Sequence, residues 1–214
     1  HMTQKERQER SQREIRLAAM EEFGTRNYSE VSMEQICSRH HISKGMMYHY
    51  FSNRDELFLL CAGEVFTGLG QYLEKHLPSA ANADPASCTH EFLLLREAYF
   101  QERPLERNVF NNALFHSPEH LKEQIRLLRR PLHEMNLAFF QQIVSRLPLR
   151  SQVTARDAVR YFESIEYVFW DILSQFDTEN AHSDLSAFST VSEKVLDMVF
   201  FGIARQPEGR PAEG

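Results

Sequence analysis

The chain has 214 residues, 42% hydrophobic and 25% charged, with a formal net charge of -6. That apolar content supports one core or two small ones and excludes a chain that is disordered throughout. No apolar run approaches the roughly 18 to 20 residues that span a bilayer, and the start has no signal-peptide pattern, so a cytoplasmic protein with no membrane partner is expected. His1-Met2 reads as a remnant of tag cleavage and is set aside.

Three cysteines, Cys37, Cys61 and Cys88, have no short paired spacing, which argues against a disulfide framework or a zinc site and for buried, reduced thiols. The charge is unevenly distributed. Residues 1–54 hold nine Lys/Arg against seven Asp/Glu, a balance of +2, and the remainder holds fifteen against twenty-three, a balance of -8. Lys5, Arg7, Arg10, Arg13 and Arg16 form a basic arm that suits phosphate, although Glu6, Glu9 and Glu14 between them also suit a solvated helix face.

Ile15, Ala18, Ala19 and Phe23 recur at helical spacing and predict an amphipathic helix from about residue 8 to 25. Asn27 is expected to stop it in a left-handed conformation. Ser32-Met33-Glu34-Gln35 is a capping box that starts a second helix. This helix can last only about two turns, because His40-His41-Ile42-Ser43 brings a break and another N-cap. A short third helix follows, and Ser52, with Asp55 and Glu56 in the next turn, predicts the start of a fourth that continues to about His76. Residues 78–87, PSAANADPAS, read as a linker.

Beyond the linker, helical segments are expected at about 89–102, 105–116, 118–129, 132–146, 154–177 and 184–204. Pro104, Pro131 and Pro148 punctuate them, while Ser117-Pro118 and Thr154 with Asp157 read as starts. Almost nothing reads as a strand, so the fold class is all-α, and residues 205–214 read as a disordered tail. His116 and His120 stand four apart, a possible metal spacing. Pro118 between them and the lack of a third ligand argue against it, and no nucleophile motif or glycine-rich phosphate loop stands out. No metal, cofactor or catalytic residue is therefore expected, and the chain is not expected to be an enzyme.

Two short helices joined by a tight turn, with a longer helix on either side, are the layout of a helix-turn-helix. Residues 15–58 resemble the DNA-binding domain of the TetR family of bacterial transcriptional regulators. The resemblance rests on Ile15, Ala19, Phe23, Asn27-Tyr28, Ser32, Ile36-Cys37, His40 to Gly45, Met47 to Phe51, Arg54 and Glu56-Leu57-Phe58. Where the family has Ala-Gly in the turn and an earlier Gly, this chain has His40-His41 and Asn27. These residues tolerate positive φ better than most. Met46 replaces a hydroxyl that the family carries, which alters the expected base contacts.

The resemblance implies that Ser43, Lys44, Gly45, Met46, Tyr48 and His49 face DNA from the recognition helix, and that Ser32 and Arg54 meet phosphate at the starts of their own helices. Ile42, Met47, Tyr50 and Phe51 are expected to be core. It also implies a division into a helix-turn-helix domain (1–52) and a helical domain (53–204) that binds a small effector and forms a homodimer. Broad apolar faces suggest Phe162, Ile165, Phe169, Leu173, Val195 and Val199 for the dimer interface. An excess of rings, Phe140 among them, suggests an apolar effector in a pocket lined by Phe92, Tyr99, Phe100, Phe110, Phe115, Phe139, Tyr167 and Trp170. The expected function is a repressor released from a palindromic operator by that effector. The alternatives are an activator, or a regulator whose second domain binds a protein or no ligand.

Overall fold

The computed structural model describes residues 1–77, 84–164 and 185–205. The regular elements among them are helical, apart from an isolated bridge pairing Leu149 with Ala204. α1 spans Gln4–Thr25 and starts earlier than apolar spacing indicates. The cause is a capping box: Thr3 Oγ1 accepts from the Glu6 amide at 3.2 Å, and Glu6 accepts from the Thr3 amide at 2.7 Å. A 3-10 turn, Tyr28–Glu30, leads to α2 (Met33–Arg39) and α3 (Lys44–Tyr50). Then come α4 (Arg54–His76), α5 (Pro85–Gln101), α6 (Pro104–Phe115), a 3-10 turn at Glu119–Leu121, and α7 (Lys122–Ser145). α8 occupies residues 155–164 within the described segment, and α9 spans Leu185–Ile203.

Several local expectations hold. The Ser32–Gln35 box is present, with both hydrogen bonds at 3.2 Å, and Thr154 and Asp157 cap α8 reciprocally. His41 adopts φ 55°, and no other non-glycine among the described residues has positive φ. Three others need correction. Asn27 is extended, at φ -68°, because it precedes a 3-10 turn whose Glu30 bonds back to its amide. Asn53, not Ser52, caps α4: its Oδ1 accepts from the Glu56 amide at 3.0 Å. Pro131 does not divide two helices but lies inside α7. Ile125, Leu132, Phe139 and Ile143 keep one buried stripe running through it, and the carbonyl it strands is that of half-exposed Leu127, within reach of water.

Packing divides the chain into two compact units, His1–Gly70 with Glu102–Leu132 and Gln71–Gln101 with His133–Gly214. In the first, Ile15, Ala19, Phe23, Ile36, Met47, Leu57 and Phe58 are fully buried. Phe23 and Tyr28 both meet Phe58, with ring centroids 5.2 and 5.3 Å apart. Cys37 and Cys61 are buried here, and burial, followed by the nearby Glu64 carboxylate, pushes the Cys61 thiol up to about 12. In the second unit, α5 packs against α9. Phe92 stacks on Phe139 at 5.0 Å and meets Phe140 at 5.3 Å; Phe140 stacks on Phe162 at 5.5 Å, and Phe162 meets Phe200 at 5.4 Å.

α6 closes on α1 in the first unit. Asn108 and Asn112 donate to the carbonyls of Gly24 and Arg26, at 2.7 and 3.3 Å, and so satisfy acceptors that the end of α1 leaves open. This approach requires glycine at position 24: a Cβ there would lie 2.8 Å from Leu105 Cβ and 2.9 Å from its Cα and carbonyl oxygen. Gly24→Ala is therefore expected to destabilise the protein by roughly 1 to 3 kcal/mol, the usual cost of overpacking, despite alanine's better helix propensity. Chemical denaturation of both proteins measures this directly.

Candidate nucleic-acid interface

The helix-turn-helix is held together by polar contacts on one side and by Met47 on the other. Glu22, on α1, is 5% exposed. Its carboxylate meets Arg39 Nη1 at 3.0 Å and His40 Nε2 at 3.1 Å, with Arg26 Nε 3.6 Å away. One buried acid thus fixes the end of α2 and the following turn to α1. His40, which stands at a departure from the family pattern, is a binding partner of this acid. Ser43 begins α3, its hydroxyl accepting from the Met46 amide at 3.1 Å.

In α3, Met47 is completely buried and is the only buried residue of the seven. Lys44, Gly45, Tyr48 and His49 are exposed, and Met46 is half-buried. Beyond its chain neighbours and the backbone of its own helix, no atom lies within 4 Å of where a Gly45 Cβ would stand. The Tyr48 hydroxyl donates to Glu34 at 3.2 Å. Partial desolvation and then the Glu34 carboxylate hold the Tyr48 pKa above its ordinary value, so it presents a neutral phenol. His49 lies edge-on to Tyr50, their centroids 4.7 Å apart. Ile42 is buried as expected, whereas Tyr50 and Phe51 are half-buried. These two rings, with Leu60, line a cleft of about 760 Å³ whose opposite wall is α1, including Arg10, Arg13 and Arg16 together with Glu6 and Glu9.

Arg54 and Ser32 stand apart from this array. Ser32 is committed to its cap. Arg54 lays its guanidinium over the Tyr28 ring, 4.4 Å from the centroid. Its Nη1 donates to the carbonyls of Val31 at 3.0 Å and of Tyr28 and Ser29 at 3.4 Å. Arg54 therefore clamps the 3-10 turn between α1 and α2. Beside it, Asp55 accepts from the Tyr28 hydroxyl and lies 2.9 Å from His120 Nε2. Sequence reasoning placed His120 only in a discarded metal pair; its contact with Asp55 spans 65 positions and leaves no local signal. No group of three potential ligands that could hold a metal occurs among the described residues.

The residues suggested for the effector pocket fall in both units. Phe92, Tyr99, Phe100 and Phe139 belong to the second, whereas Phe110 packs on Phe66 in the first and Phe115 lies in the same unit as Phe110. Tyr167 and Trp170 lie outside the described residues, as do Ile165, Phe169 and Leu173 of the suggested dimer face. Two others of that face, Phe162 and Val195, are 1% and 6% exposed within the chain. Val199 is half-buried. Among the described residues of this unit, Tyr161, Met198 and Phe201 are the large apolar side chains that are exposed.

The Tyr28–Arg54–Asp55–His120 cluster makes the first unit sensitive to acid. Burial raises the Asp55 carboxyl, but hydrogen bonds from Tyr28 and His120 and the neighbouring positive charges outweigh it and bring the pKa below the ordinary 3.8. A carboxyl depressed on folding contributes stability that is present above its unfolded value and lost as pH falls through the folded one. Asp55→Asn is thus expected to flatten the loss of stability below about pH 4, as followed by unfolding at a series of pH values. Arg54→Ala is expected to cost roughly 1 to 3 kcal/mol by unpairing carbonyls, read by the same method.

With this geometry in place, the comparisons with known proteins are direct. Residues 15–61 match the family model described as bacterial regulatory proteins, tetR family. No curated protein matches the chain. A TetR family transcriptional regulator from Chloroflexus aurantiacus aligns with 92% of this chain and 95% of its own, at 20% identity and a TM-score of 0.68. NalD of Pseudomonas aeruginosa, the secondary repressor of the MexAB-OprM multidrug efflux pump, covers 94% of this chain and 100% of its own, at 22% identity and a TM-score of 0.61. SmeT, the repressor of the Stenotrophomonas maltophilia multidrug efflux pump SmeDEF, covers 94% and 93%, at 18% identity and a TM-score of 0.60. Residues 15–61 thus match the tetR-family model, and the chain shares its fold with solved TetR-family transcriptional regulators.

Proposed function

We propose that the protein is a homodimeric transcriptional repressor that binds a palindromic operator through α3 and leaves it when a small, largely apolar effector binds. The observation that carries this reading is the composition of α3: a single buried anchor, Met47, with Lys44, Gly45, Tyr48 and His49 exposed beside it. Lys44 supplies charge to phosphate, Gly45 permits close approach of backbone, and Tyr48 and His49 supply hydrogen-bonding tips for base edges or phosphates. Ser43 and Met46 complete the helix start. Residues 1–52 then form the DNA-binding domain, 53–204 the effector and dimer domain, and 205–214 a tail. No catalytic role is assigned, and a DNA-bound regulator acts in the cytoplasm.

Ser32 and Arg54 serve this reading indirectly, by fixing α2 and the turn before it. Arg7 and Arg13, on the basic arm, are the better phosphate neighbours, since Arg10 and Arg16 engage Glu14 and Glu64 at 3.2 and 3.0 Å. For the dimer, Met198 and Phe201 stand three apart on α9 and are 66% and 55% exposed, which suits an isologous contact. An effector acts by favouring one spacing of two recognition helices over another, because only differential affinity shifts an equilibrium. Operator half-sites are expected about 34 to 36 Å apart.

Fluorescence anisotropy on the DNA upstream of the gene, with a scrambled duplex as control, tests the proposal. Selective binding is expected, with two or four chains per site. Lys44→Ala should weaken binding to all sequences and lower the salt slope by about one. Tyr48→Phe should weaken operator binding while leaving the unfolding midpoint in place. Equal affinity of both variants and the parent for the operator would refute the assignment of α3.

A further inference from the structure

The Tyr48 hydroxyl stands on the exposed face of α3 with its proton already engaged. Tyr48 is 46% exposed, and its Oη donates to Glu34 Oε1 at 3.2 Å. An ionised carboxylate only accepts, so chemistry fixes the direction of this bond. A phenol has a single proton to give. Once that proton points at Glu34, the Tyr48 oxygen can only accept from a third group.

The arrangement is held from both helices. Glu34 lies in the first turn of α2, where the helix dipole favours a carboxylate, and α2 packs on α3. Met47, next to Tyr48, is completely buried and fixes the rotation of α3. A phosphate oxygen cannot complete Tyr48, because it is itself an acceptor and has the same sign of charge as Glu34. Base edges in the major groove differ among themselves: adenine N6 and cytosine N4 donate, whereas guanine O6 and thymine O4 accept.

We infer that Glu34 is a positioning residue for recognition: by holding the Tyr48 proton it makes that side chain an acceptor only, which selects an amino-bearing base, adenine or cytosine, over a keto base at one position of each half-site. The inference rests on the repressor reading above, in which α3 meets base edges, and specifies what Tyr48 reads there. In the free protein the bond competes with water and contributes little. At a docked face that excludes water it strengthens, and withdrawing the proton to serve a keto oxygen would leave the carboxylate unmatched.

The test uses the full chain and the duplex it selects from a random library. Each adenine or cytosine of that duplex is replaced in turn by purine or 2-pyrimidinone, which lack the amino group, and binding is measured for the parent and Tyr48→Phe. One base per half-site is expected at which the parent loses about fivefold or more, the low end of the effect of a mismatched pair, while Tyr48→Phe loses nothing further. Placing a keto base at that position should weaken the parent by a similar factor. Glu34→Ala frees the hydroxyl to donate or accept and should bind the amino and keto duplexes nearly equally, with its other base preferences unchanged. Glu34→Gln, which keeps an acceptor without the charge, should retain the parent's selectivity. The inference is overturned if no amino group is coupled to Tyr48, if Glu34→Ala keeps the parent's selectivity and only its melting temperature falls, or if Glu34→Gln loses selectivity as fully as Glu34→Ala. In those three cases α3 still reads DNA; if the parent selects no sequence, the repressor reading fails and this inference with it.

Discussion

The geometry of the helix-turn-helix depends on one buried carboxylate. Glu22 is almost fully enclosed, and its two oxygens are shared among Arg39, His40 and Arg26. A buried acid is tolerated only when its charge and lone pairs are matched, and removing one partner costs far more than the net worth of the pair. Its partners come from the end of α1, the end of α2 and the turn between α2 and α3, so the price of leaving it unmatched falls on any arrangement in which these parts separate. The apolar core beneath, around Met47, Phe23 and Phe58, supplies stabilisation but is less particular about angle. Glu22 supplies the particularity.

A second set of contacts repeats this logic at the other end of the turn region. Tyr28 is ring, hydrogen-bond donor and cation acceptor at once: it meets Phe23 and Phe58, donates to Asp55 and lies under Arg54. Arg54, in turn, gathers three carbonyls of a segment too short to satisfy its own backbone by helix. The 3-10 turn is thereby held by side chains where regular structure would otherwise do so. Residues that invite a DNA-contact role from their position at a helix start can serve the fold instead, and here the number of carbonyl contacts favours that for Arg54.

What was legible in the sequence follows the range of the interactions. Capping boxes and the positive φ of His41 are decided within four residues, and Ser32, Thr154 and His41 could be read correctly. Thr3 carried the same signal but was obscured by the charged, non-periodic residues after it. Asn27 was misread because a 3-10 turn needs no left-handed stop, and Pro131 because a buried stripe on both sides outweighs one lost hydrogen bond. The all-helical class and the helix-turn-helix were legible from spacing and resemblance. The contacts of His120 and Gly24 were not, since they depend on elements far apart in the chain. Phe162 and Val195 show the related limit: apolar periodicity says that a face is buried, not whether the same chain or another covers it.

The construction of α3 has a consequence for how such a protein diversifies. One of its seven side chains is committed to the core, and a side chain at Gly45 would meet no atom beyond its chain neighbours and its own helix backbone. Substitutions at its outward positions therefore leave the interior packing untouched. Exposed side chains and the core anchor are different residues of the same two turns of helix. Change in this surface is nearly decoupled from change in what the chain folds into, so one architecture can carry many different outer faces.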